Sequence, residues 1–380
     1  MKIAYFVNAS WYFELHWLER AEAAIKSGHE VYLISTFPKV EIKKNIESRG
    51  IKCLNIDLER FSSNPIKNLK TFYQLYKLNN KIEAELFHLI TIKPIILGGV
   101  YAKIFRIPFV VSFVGLGRIF KNDKKIKNKI KFKIVTNFYK IIFSGTKHKI
   151  IFEHKDDYET LKNHVKLNKN SIHIIEGAGV NIDEFKYSKE LSDNNFSVLF
   201  AARLLWSKGL GDLVQAVEII RKKNITIELR VAGISDKEDP DAISINQIKK
   251  WEREGKITWL GRVEDMYSLL KNSNLVALPT TYAEGVPRII IEACSVGRAC
   301  IVSNSGGCKS IIKDGHNGYL ITNASPEDIA EKIIILKESP ELREKFGSIS
   351  SEIVKNRFNK DIVIEKTLSV YNQLLNQELK

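Results

Sequence analysis

The chain has 380 residues, 44% of them apolar, and a formal net charge of +15 at pH 7. This length and apolar content predict one large or two ordinary domains with ample cores. No uninterrupted run of about 18 apolar residues suggests a membrane-spanning helix. The four cysteines show no CxxC spacing, which argues against a zinc site or disulfide framework and is typical of buried thiols in a reducing compartment. The first strand becomes polar too soon for a signal peptide, so we expect a cytosolic protein.

The positive charge is concentrated in the first half of the chain. Residues 1–185 carry 31 Lys and Arg against 18 Asp and Glu, whereas residues 186–380 carry 28 against 26. Between Lys121 and Lys149, ten lysines accompany a single acid, Asp123. We therefore expect a basic surface on the first half only.

Short β-rich segments alternate with helical segments along the first half. Strands are predicted at 2–8, 30–36, 52–57, 86–90, 109–113 and 149–152, and helices at 14–26, 67–82, 94–105, 126–143 and 156–163. Such alternation predicts a parallel sheet that helices cover on both faces.

The second half repeats this scheme. Strands are predicted at 197–202, 226–232, 257–260, 274–278, 299–303 and 318–321, and helices at 210–222, 242–254, 264–271, 288–296, 326–336, 340–354 and 360–375. The polar segment Ser192–Asn195 is the predicted linker, which gives domains at 1–190 and 191–359. The predicted fold class is α/β, with two doubly wound, Rossmann-like domains expected to face a cleft and to bind ligands at the carboxyl ends of the strands.

Two cations lie in the loop that follows the first strand of the second half. Arg203 and Lys208 stand before Gly209 and the helix predicted at 210–222. Two cations in a strand-to-helix loop can bind a diphosphate from both sides. An ordinary solvated loop is the alternative interpretation.

Two carboxylates stand eight positions apart, at Glu284 and Glu292, after the strand predicted at 274–278. The segment between them begins with Gly285, Val286, Pro287 and Arg288. Proline favours the first helical position, so a helix is predicted to begin near Pro287, and its free N–H groups would bind a phosphate. Eight residues of helix rise ~12 Å. The pattern indicates an extended ligand whose sugar hydroxyls contact an acid at either end.

These motifs resemble those of the retaining glycosyltransferases of family 4, which have the GT-B fold. The E-x7-E pattern of Glu284 and Glu292 and the R-x4-K-G pattern of Arg203, Lys208 and Gly209 carry the resemblance. It implies that Arg203 and Lys208 stabilise a departing nucleoside diphosphate, that Glu284 contacts the transferred sugar and that Glu292 binds the ribose. It also implies that the last helix, at about 360–380, packs back on the first domain.

Further donor-side and acceptor-side residues follow from the same resemblance. The loop at Gly261, Arg262 and Val263 is similar to one that surrounds the nucleobase in the family. Acceptor-side candidates are Ser10, Trp11, His16, Gly115 and Gly117, in patterns that resemble a subgroup that makes bacterial surface polysaccharides. Some members place a histidine in the region that corresponds to 112–117, and this chain has none there. No catalytic histidine is therefore assigned, and a core or helix-capping role is favoured for His16.

The pair Asp239 and Asp241 has the D-x-D form that metal-dependent transferases of another fold use. It lies in a polar loop, 235–241, where a solvated turn is the favoured interpretation. We expect neither a metal nor a cofactor beyond the sugar donor.

The resemblance implies retaining transfer of a sugar from a nucleotide sugar, with UDP as the expected nucleotide, to a lipid-linked saccharide in the assembly of a capsule or lipopolysaccharide. A nucleotide-sugar epimerase on the same fold is the enzymatic alternative. Nucleic-acid binding, which the charge of +15 suggests, is disfavoured because no recognition motif accompanies the lysines.

The helix predicted at 126–143 is amphipathic. Its apolar residues on one face are Ile126, Ile130, Ile134, Phe138, Ile141 and Ile142, and we expect this face to pack mostly on the domain core. The lysines between Lys121 and Lys149 would form a solvated rim, which anionic lipid attracts by ~1 kcal/mol per residue. The enzyme is therefore expected to bind peripherally at the inner face of the cell membrane, beside its acceptor.

Overall fold

A computed structural model of the chain describes residues 1–60, 62, 64–120, 126–145, 147–190, 196–236, 238–282, 284–322 and 325–375, without the side chains of 118, 126, 127 and 375. The chain forms two compact units. The first contains Met1–Ala178 and Ile362–Lys380, and the second contains Gly179–Asp361.

The boundary between the units lies between Ala178 and Gly179, earlier in the chain than the predicted boundary at 190. The residues between these two positions pack on the second unit. Val180 donates its amide to the carbonyl of Phe358 over 2.9 Å, and Phe185 is buried in the second core. The Arg343 guanidinium binds Glu190 at 2.7 Å. The predicted linker Ser192–Asn195 lies outside the described residues.

Seven parallel strands form the sheet of the first unit, in the order β3-β2-β1-β4-β5-β6-β7. Their bounds are β1 Lys2–Val7, β2 Glu30–Ser35, β3 Lys52–Asn55, β4 Leu86–Ile90, β5 Phe109–Phe113, β6 His148–Phe152 and β7 Ile172–Ile174. All residues of β4, β5 and β6 are buried, as expected where helices cover both faces of a sheet.

Two helical layers cover this sheet. One layer contains α1 Ser10–His16, α2 Leu18–Lys26, α3 Val40–Ser48 and the C-terminal helix Lys360–Leu375, and the other contains α4 Pro65–Ile82, α5 Ile92–Ile104, α6 Ile126–Ile142 and α7 Lys155–Lys162. Alternate residues of each strand enter the two cores: Tyr5 lies in the first and Phe6 in the second. The C-terminal helix contributes Val370 and Tyr371 to the first core.

The second unit has six parallel strands in the order β10-β9-β8-β11-β12-β13. Its strands are β8 Ser197–Ala201, β9 Glu228–Ala232, β10 Thr258–Gly261, β11 Leu275–Leu278, β12 Ala299–Ser303 and β13 Tyr319–Ile321. Its helices are α8 Leu210–Lys222, α9 Ile245–Arg253, α10 Met266–Lys271, α11 Arg288–Val296, α12 Gly306–Ile311, α13 Pro326–Glu338 and α14 Pro340–Ile353. The C-terminal helix, α15, follows in the chain but belongs to the first unit.

All twelve predicted strands are present, whereas α3, α12 and β7 were not predicted. β7 has three residues and α12 six, too few for a clear apolar period. Helix α3 has nine residues, but it buries only Ile42 and Ile46. The helix predicted at 14–26 is instead two helices, α1 and α2, which Trp17 separates. Trp17 is 2% exposed, and the Arg20 guanidinium lies 4.1 Å from the centre of its ring.

The predicted buried face of α6 is wrong. Four residues of this face are exposed: Ile130 by 55%, Ile134 by 50%, Phe138 by 37% and Ile141 by 55%. Among the predicted residues whose side chains are described, only Ile142 is buried. Val135, Tyr139 and Ile142 form the buried face instead. The Tyr139 ring lies 5.4 Å from the Phe113 ring of β5. Tyr139 therefore packs inward with Val135 and Ile142, whereas Ile130, Ile134, Phe138 and Ile141 remain exposed.

Other features of the described residues bear on the expectations from the sequence. None of their helices is long and apolar enough to cross a bilayer. Cys294, Cys300 and Cys308 are buried free thiols, as predicted, whereas Cys53 is only half-buried.

Candidate active site

The centre of the second sheet brings together the ends of β8 and β11. The chain leaves β8 toward β9 on one side and leaves β11 toward β12 on the other. Connections that diverge in this way open a crevice beyond the carboxyl ends of the two strands. The loops that carry Arg203, Lys208 and Glu284 begin at these two ends.

Lys208 and Glu284 form an ion pair across this crevice. Lys208 Nζ donates a hydrogen bond to Glu284 Oε1, and Thr280 Oγ1 donates to the same oxygen over 3.1 Å. The Lys208 and Glu284 side chains are only 11% and 12% exposed. The structure thus joins two predicted catalytic residues that are 76 positions apart in the chain.

The loop geometry requires the glycine that follows Lys208. Gly209 has a φ of +83°, and a Cβ there would lie 2.1 Å from the carbonyl oxygen of Pro279. A left-handed conformation and a close backbone approach both favour glycine. The Ser207 carbonyl accepts the amides of Thr281 and Tyr282 at 2.8 and 3.1 Å, so the loops after β8 and β11 are joined.

Arg203, the third predicted catalytic residue, binds a carboxylate that the sequence analysis assigned to a solvated turn. Arg203 Nη1 lies 3.4 Å from Asp239 Oδ2, and the Asp239 side chain is 3% exposed. The Ser207 amide donates to Asp241 Oδ2 over 3.1 Å. The solvated-turn interpretation of Asp239–Asp241 is therefore wrong. The segment contacts and supports the loop that carries Arg203 and Lys208. Among the described residues, no group of three or more His, Cys, Asp or Glu could hold a metal ion.

Helix α11 begins at Arg288, with Pro287 as its N-cap rather than its first residue. Arg288 Nε donates to Glu292 Oε1 over 2.6 Å. Burial raises the pKa of Glu292, and the nearby Arg288 charge opposes that rise. Arg288 and Glu292 are four positions apart on the helix, a rise of ~6 Å. The expected helical rise of ~12 Å from Glu284 to Glu292 is wrong, because Glu284 lies outside the helix.

Helix α12 forms another wall of the same crevice. A Cβ on Gly307 would lie 1.7 Å from the carbonyl oxygen of Gly285, so only glycine allows this contact. Burial, with Glu284 adding to it, raises the pKa of the Cys308 thiol to about 12. The adjacent glycines 306 and 307 were the sequence signal for this contact, although the helix that they begin was not predicted.

The predicted nucleobase loop lies next to the Arg203 loop. Gly261 has a φ of +64°, and its carbonyl accepts the amide of Gly233 at 2.7 Å. A Cβ on Gly233 would lie 1.9 Å from the carbonyl oxygen of Ala202. Arg262 is exposed and Val263 half-buried. Close backbone contact thus connects the loops after β10, β9 and β8.

The acceptor-side candidates lie at the carboxyl edge of the first sheet. Gly115 and Gly117, after β5, have φ values of +94° and +70°. Ser10 is buried at the start of α1, and Trp11 next to it is half-buried. His16 ends α1, with its ring 4.4 Å from that of Tyr12, which agrees with a helix-terminal role.

His154 and Asp157 lie at the same edge and were not among the predicted site residues. His154 Nε2 is 3.3 Å from Asp157 Oδ2, and both side chains are at most 10% exposed. Burial, and to a smaller extent the negative charges of Glu153 and Asp156, raise the pKa of Asp157 to about 8. A hydrogen bond that Asp157 accepts from the backbone amide of Leu116 lowers this pKa. Asp157 therefore supports the loop that contains Gly115 and Gly117. A histidine beside two carboxylates was the only signal in the sequence.

Two family models match the chain. Glycosyl transferases group 1 matches residues 181–352, and glycosyl transferase 4-like matches residues 2–154. The first match contains the crevice of the second unit, and the second contains β1 to β6 of the first unit.

Curated relatives match most of the chain. The N,N'-diacetylbacillosaminyl-diphospho-undecaprenol alpha-1,3-N-acetylgalactosaminyltransferase of Campylobacter jejuni is 26% identical over 359 residues, 91% of this chain and 92% of that protein. The UDP-Gal:alpha-D-GlcNAc-diphosphoundecaprenol alpha-1,3-galactosyltransferase of Escherichia coli is 25% identical over 329 residues, 84% and 81% of the two chains.

Solved structures share the fold. Anabaena Alr3699/HepE in complex with UDP and glucose has a TM-score of 0.79 at 19% identity, over 98% of this chain and 100% of that chain. Sucrose-phosphate synthase from Thermosynechococcus elongatus has a TM-score of 0.82 at 16% identity, over 99% and 100%. The predicted fold class, GT-B with two Rossmann-like units, is confirmed.

Proposed function

This chain belongs to the family 4 type of glycosyltransferases, and we propose that it is a retaining enzyme that uses a UDP-linked sugar. The proposed acceptor is a saccharide on a lipid diphosphate, in the assembly of a bacterial surface polysaccharide. The observation that carries the proposal is the convergence of Arg203, Lys208 and Glu284 at the switch point of the second sheet. These side chains supply the charges that transfer from a sugar diphosphate needs.

The reaction breaks the bond between the anomeric carbon and a phosphate oxygen. Negative charge grows on the departing diphosphate, and positive charge grows on the sugar. Lys208 and Arg203, together with the positive end of the α11 helix dipole, would stabilise the departing diphosphate. Because carboxylates already hold both cations in place, little reorganisation would be needed during the reaction.

The two glutamates have different roles in this proposal. Glu284 accepts from Lys208 and Thr280 through Oε1, so its position is well defined, and it would contact the transferred sugar and favour positive charge there. Glu292 accepts from Arg288 through one oxygen. A carboxylate has two oxygens with spare acceptor capacity, so Glu292 would also accept from the ribose hydroxyls. We favour front-face attack, in which the acceptor hydroxyl forms the new bond and passes its proton to the departing phosphate.

The relatives support the choice of acceptor. The names of the Campylobacter and Escherichia coli enzymes both include a saccharide linked to undecaprenyl diphosphate. A membrane-held acceptor would place this enzyme peripherally at the inner face of the cell membrane. The lysines between Lys121 and Lys149 would attract anionic lipid there, although residues 121–125 lie outside the described part of the chain.

The test combines donor binding with product analysis. We expect one UDP-sugar, from a panel of nucleotide sugars, to raise the thermal unfolding temperature and to yield a glycosylated product with a short-chain lipid diphosphate saccharide. NMR of that product would show retention of the anomeric configuration. An epimerised or free sugar formed equally well without acceptor would overturn the transferase in favour of an epimerase. Salt-dependent retention of oligonucleotides without sugar transfer would overturn it in favour of nucleic-acid binding.

A further inference from the structure

One helical layer of the first unit combines a basic composition with exposed apolar side chains. Helices α4, α5 and α6 contain eleven lysines and neither Asp nor Glu. Of the 17 large apolar side chains that are exposed among the described residues, four lie on α4, two at the end of α5 and four on α6. In a soluble protein, exposed apolar residues concentrated on one surface mark an interaction site.

The apolar residues of α6 form a continuous stripe. At about 100° per residue, Ile130, Ile134, Phe138 and Ile141 fall within an arc of about 80° on the helix surface. Lys131 lies on one side of this stripe, and Lys129, Lys133 and Lys140 lie on the other. All four lysines are exposed. A helix with its apolar stripe outward and lysines along both margins matches the surface of an anionic bilayer.

Helix α4 carries a similar stripe. Ile66, Leu69, Tyr73 and Tyr76 are 77%, 70%, 56% and 37% exposed, and at the same angular spacing they also span about 80°. Lys70 and Lys77 lie beside them and are exposed. The layer therefore presents two parallel rows of apolar and cationic side chains.

Helix α5 packs against both α4 and α6 and so connects the two rows. The Phe105 ring, 44% exposed, lies 5.6 Å from the Tyr76 ring of α4. A Cβ on Gly99 would lie 2.8 Å from Ile142 Cγ2 of α6, so glycine allows a close helix contact. Lys103 Nζ donates to the carbonyl of Ser144, just after α6, over 2.8 Å.

We propose that the outer surface of α4, α5 and α6 inserts its apolar side chains into the interface of an anionic lipid bilayer. This inference rests on the proposed lipid-linked acceptor, which places a bilayer beside the enzyme. It goes beyond attraction by lysines, because the isoleucines and aromatic rings enter the boundary between headgroups and acyl chains. The Gly115–Gly117 loop precedes α6 in the chain, with residues 118–125 between them, so insertion would hold that edge of the sheet near the lipid surface.

Vesicle binding tests the proposal with a matched pair of variants. The full chain is sedimented with phosphatidylcholine vesicles and with vesicles that also contain phosphatidylglycerol. The variant Ile130→Gln/Ile134→Gln/Ile141→Gln keeps every lysine and should lower partitioning into anionic vesicles at least ~10-fold. Exchange of the exposed Val40 and Ile174 for Gln is the control and should leave partitioning unchanged. Both variants should unfold at the wild-type temperature, since all five side chains are exposed.

Vesicle binding at high salt distinguishes apolar insertion from attraction between charges. In high salt the wild type should retain vesicle binding that the triple variant lacks, because screening weakens attraction between charges but not apolar insertion. Wild-type binding to anionic vesicles that high salt abolishes completely, or equal binding by the triple variant, would overturn the proposal. A wild-type dimer in solution that the triple variant cannot form would also overturn it, in favour of a second copy of this chain. Transfer to a water-soluble acceptor should be equal in all variants, and its absence in the wild type would count against the proposed function instead.

Discussion

The candidate site of the second unit and the α4–α6 surface of the first unit use basic residues in different ways. In the second unit, Arg203, Lys208 and Arg288 each contact a carboxylate, and the partner side chains Asp239, Glu284 and Glu292 are at most 12% exposed. In the first unit, the lysines of α4 to α6 stand on helices that contain no acid. Lys67 and Lys70 do pair with acids outside α4, but these partners, Glu59 and Asp57, are 55% and 57% exposed. Paired and partly buried cations act on one ligand at defined positions. Exposed lysines in a group act on an extended charged surface, where each contribution is small and the effects add.

This difference predicts that single substitutions in the second unit have the largest effects. Lys208→Ala and Arg203→Ala should each lower kcat by ~100-fold or more, the order seen when one preorganised electrostatic donor is lost. Steady-state kinetics with a saturating UDP-sugar would measure the effect. Lys271→Ala, at an exposed lysine of α10, is the control and should retain full activity. Near-normal rates for both loop variants would show that the diphosphate is bound elsewhere.

The next largest effect should separate the two glutamates of the second unit. Glu292→Gln should weaken nucleotide binding, because ribose contacts are alike in the ground state and the transition state. Glu284→Gln should lower kcat more than it weakens donor binding. Calorimetry with free UDP, beside the kinetics, distinguishes the two. The roles are reversed if Glu284→Gln loses UDP affinity and Glu292→Gln keeps it.

In the first unit, single lysines should have small and additive effects. Exchange of Lys129, Lys131, Lys133 or Lys140 for Gln should each reduce partitioning into anionic vesicles by about 5-fold, equivalent to ~1 kcal/mol. Exchange of Lys124, Lys125, Lys127 and Lys129 for Glu should abolish vesicle binding and leave UDP binding unchanged. A single lysine whose removal abolishes binding would mean that the first unit also has a discrete anion site.

The last prediction concerns stability rather than activity or binding, at the buried carboxyl group of the first unit. The pKa of Asp157 rises from 3.8 to about 8 in the folded protein, chiefly through burial. Between these values the unfolded chain has released this proton and the folded chain retains it, so stability from this group falls as the pH rises. Relative to Asp157→Asn, the wild type should therefore lose stability across that window, by an amount of the order of a few kcal/mol at most.

Thermal unfolding of both proteins between pH 5 and pH 8 would measure this difference. Asp183→Asn, at an exposed acid in the second unit, is the control and should follow the wild type. A wild type that gains stability over Asp157→Asn as the pH rises would show that Asp157 is ionised in the fold, paired with a protonated His154.

Local patterns in the sequence were sufficient for most of the fold and for the central site residues. Apolar runs between turn residues predict each buried strand, and α8, α11 and α15 have the predicted bounds. Arg203, Lys208, Glu284 and Glu292 were predicted because short fixed spacings resemble those of a family. These features depend on residues close together in the chain, where period, turns and spacing are informative.

The remaining features depend on contacts between distant residues. Helix α6 is apolar on two sides, and only its packing against Gly99 and Phe113 shows that Tyr139 points inward. The burial of Asp239 depends on Arg203, 36 positions away. A polar loop and a buried ion pair can have the same local composition, and an apolar helix face can meet a core or a lipid surface. Tertiary packing chooses between these outcomes because it determines which surfaces lose contact with water.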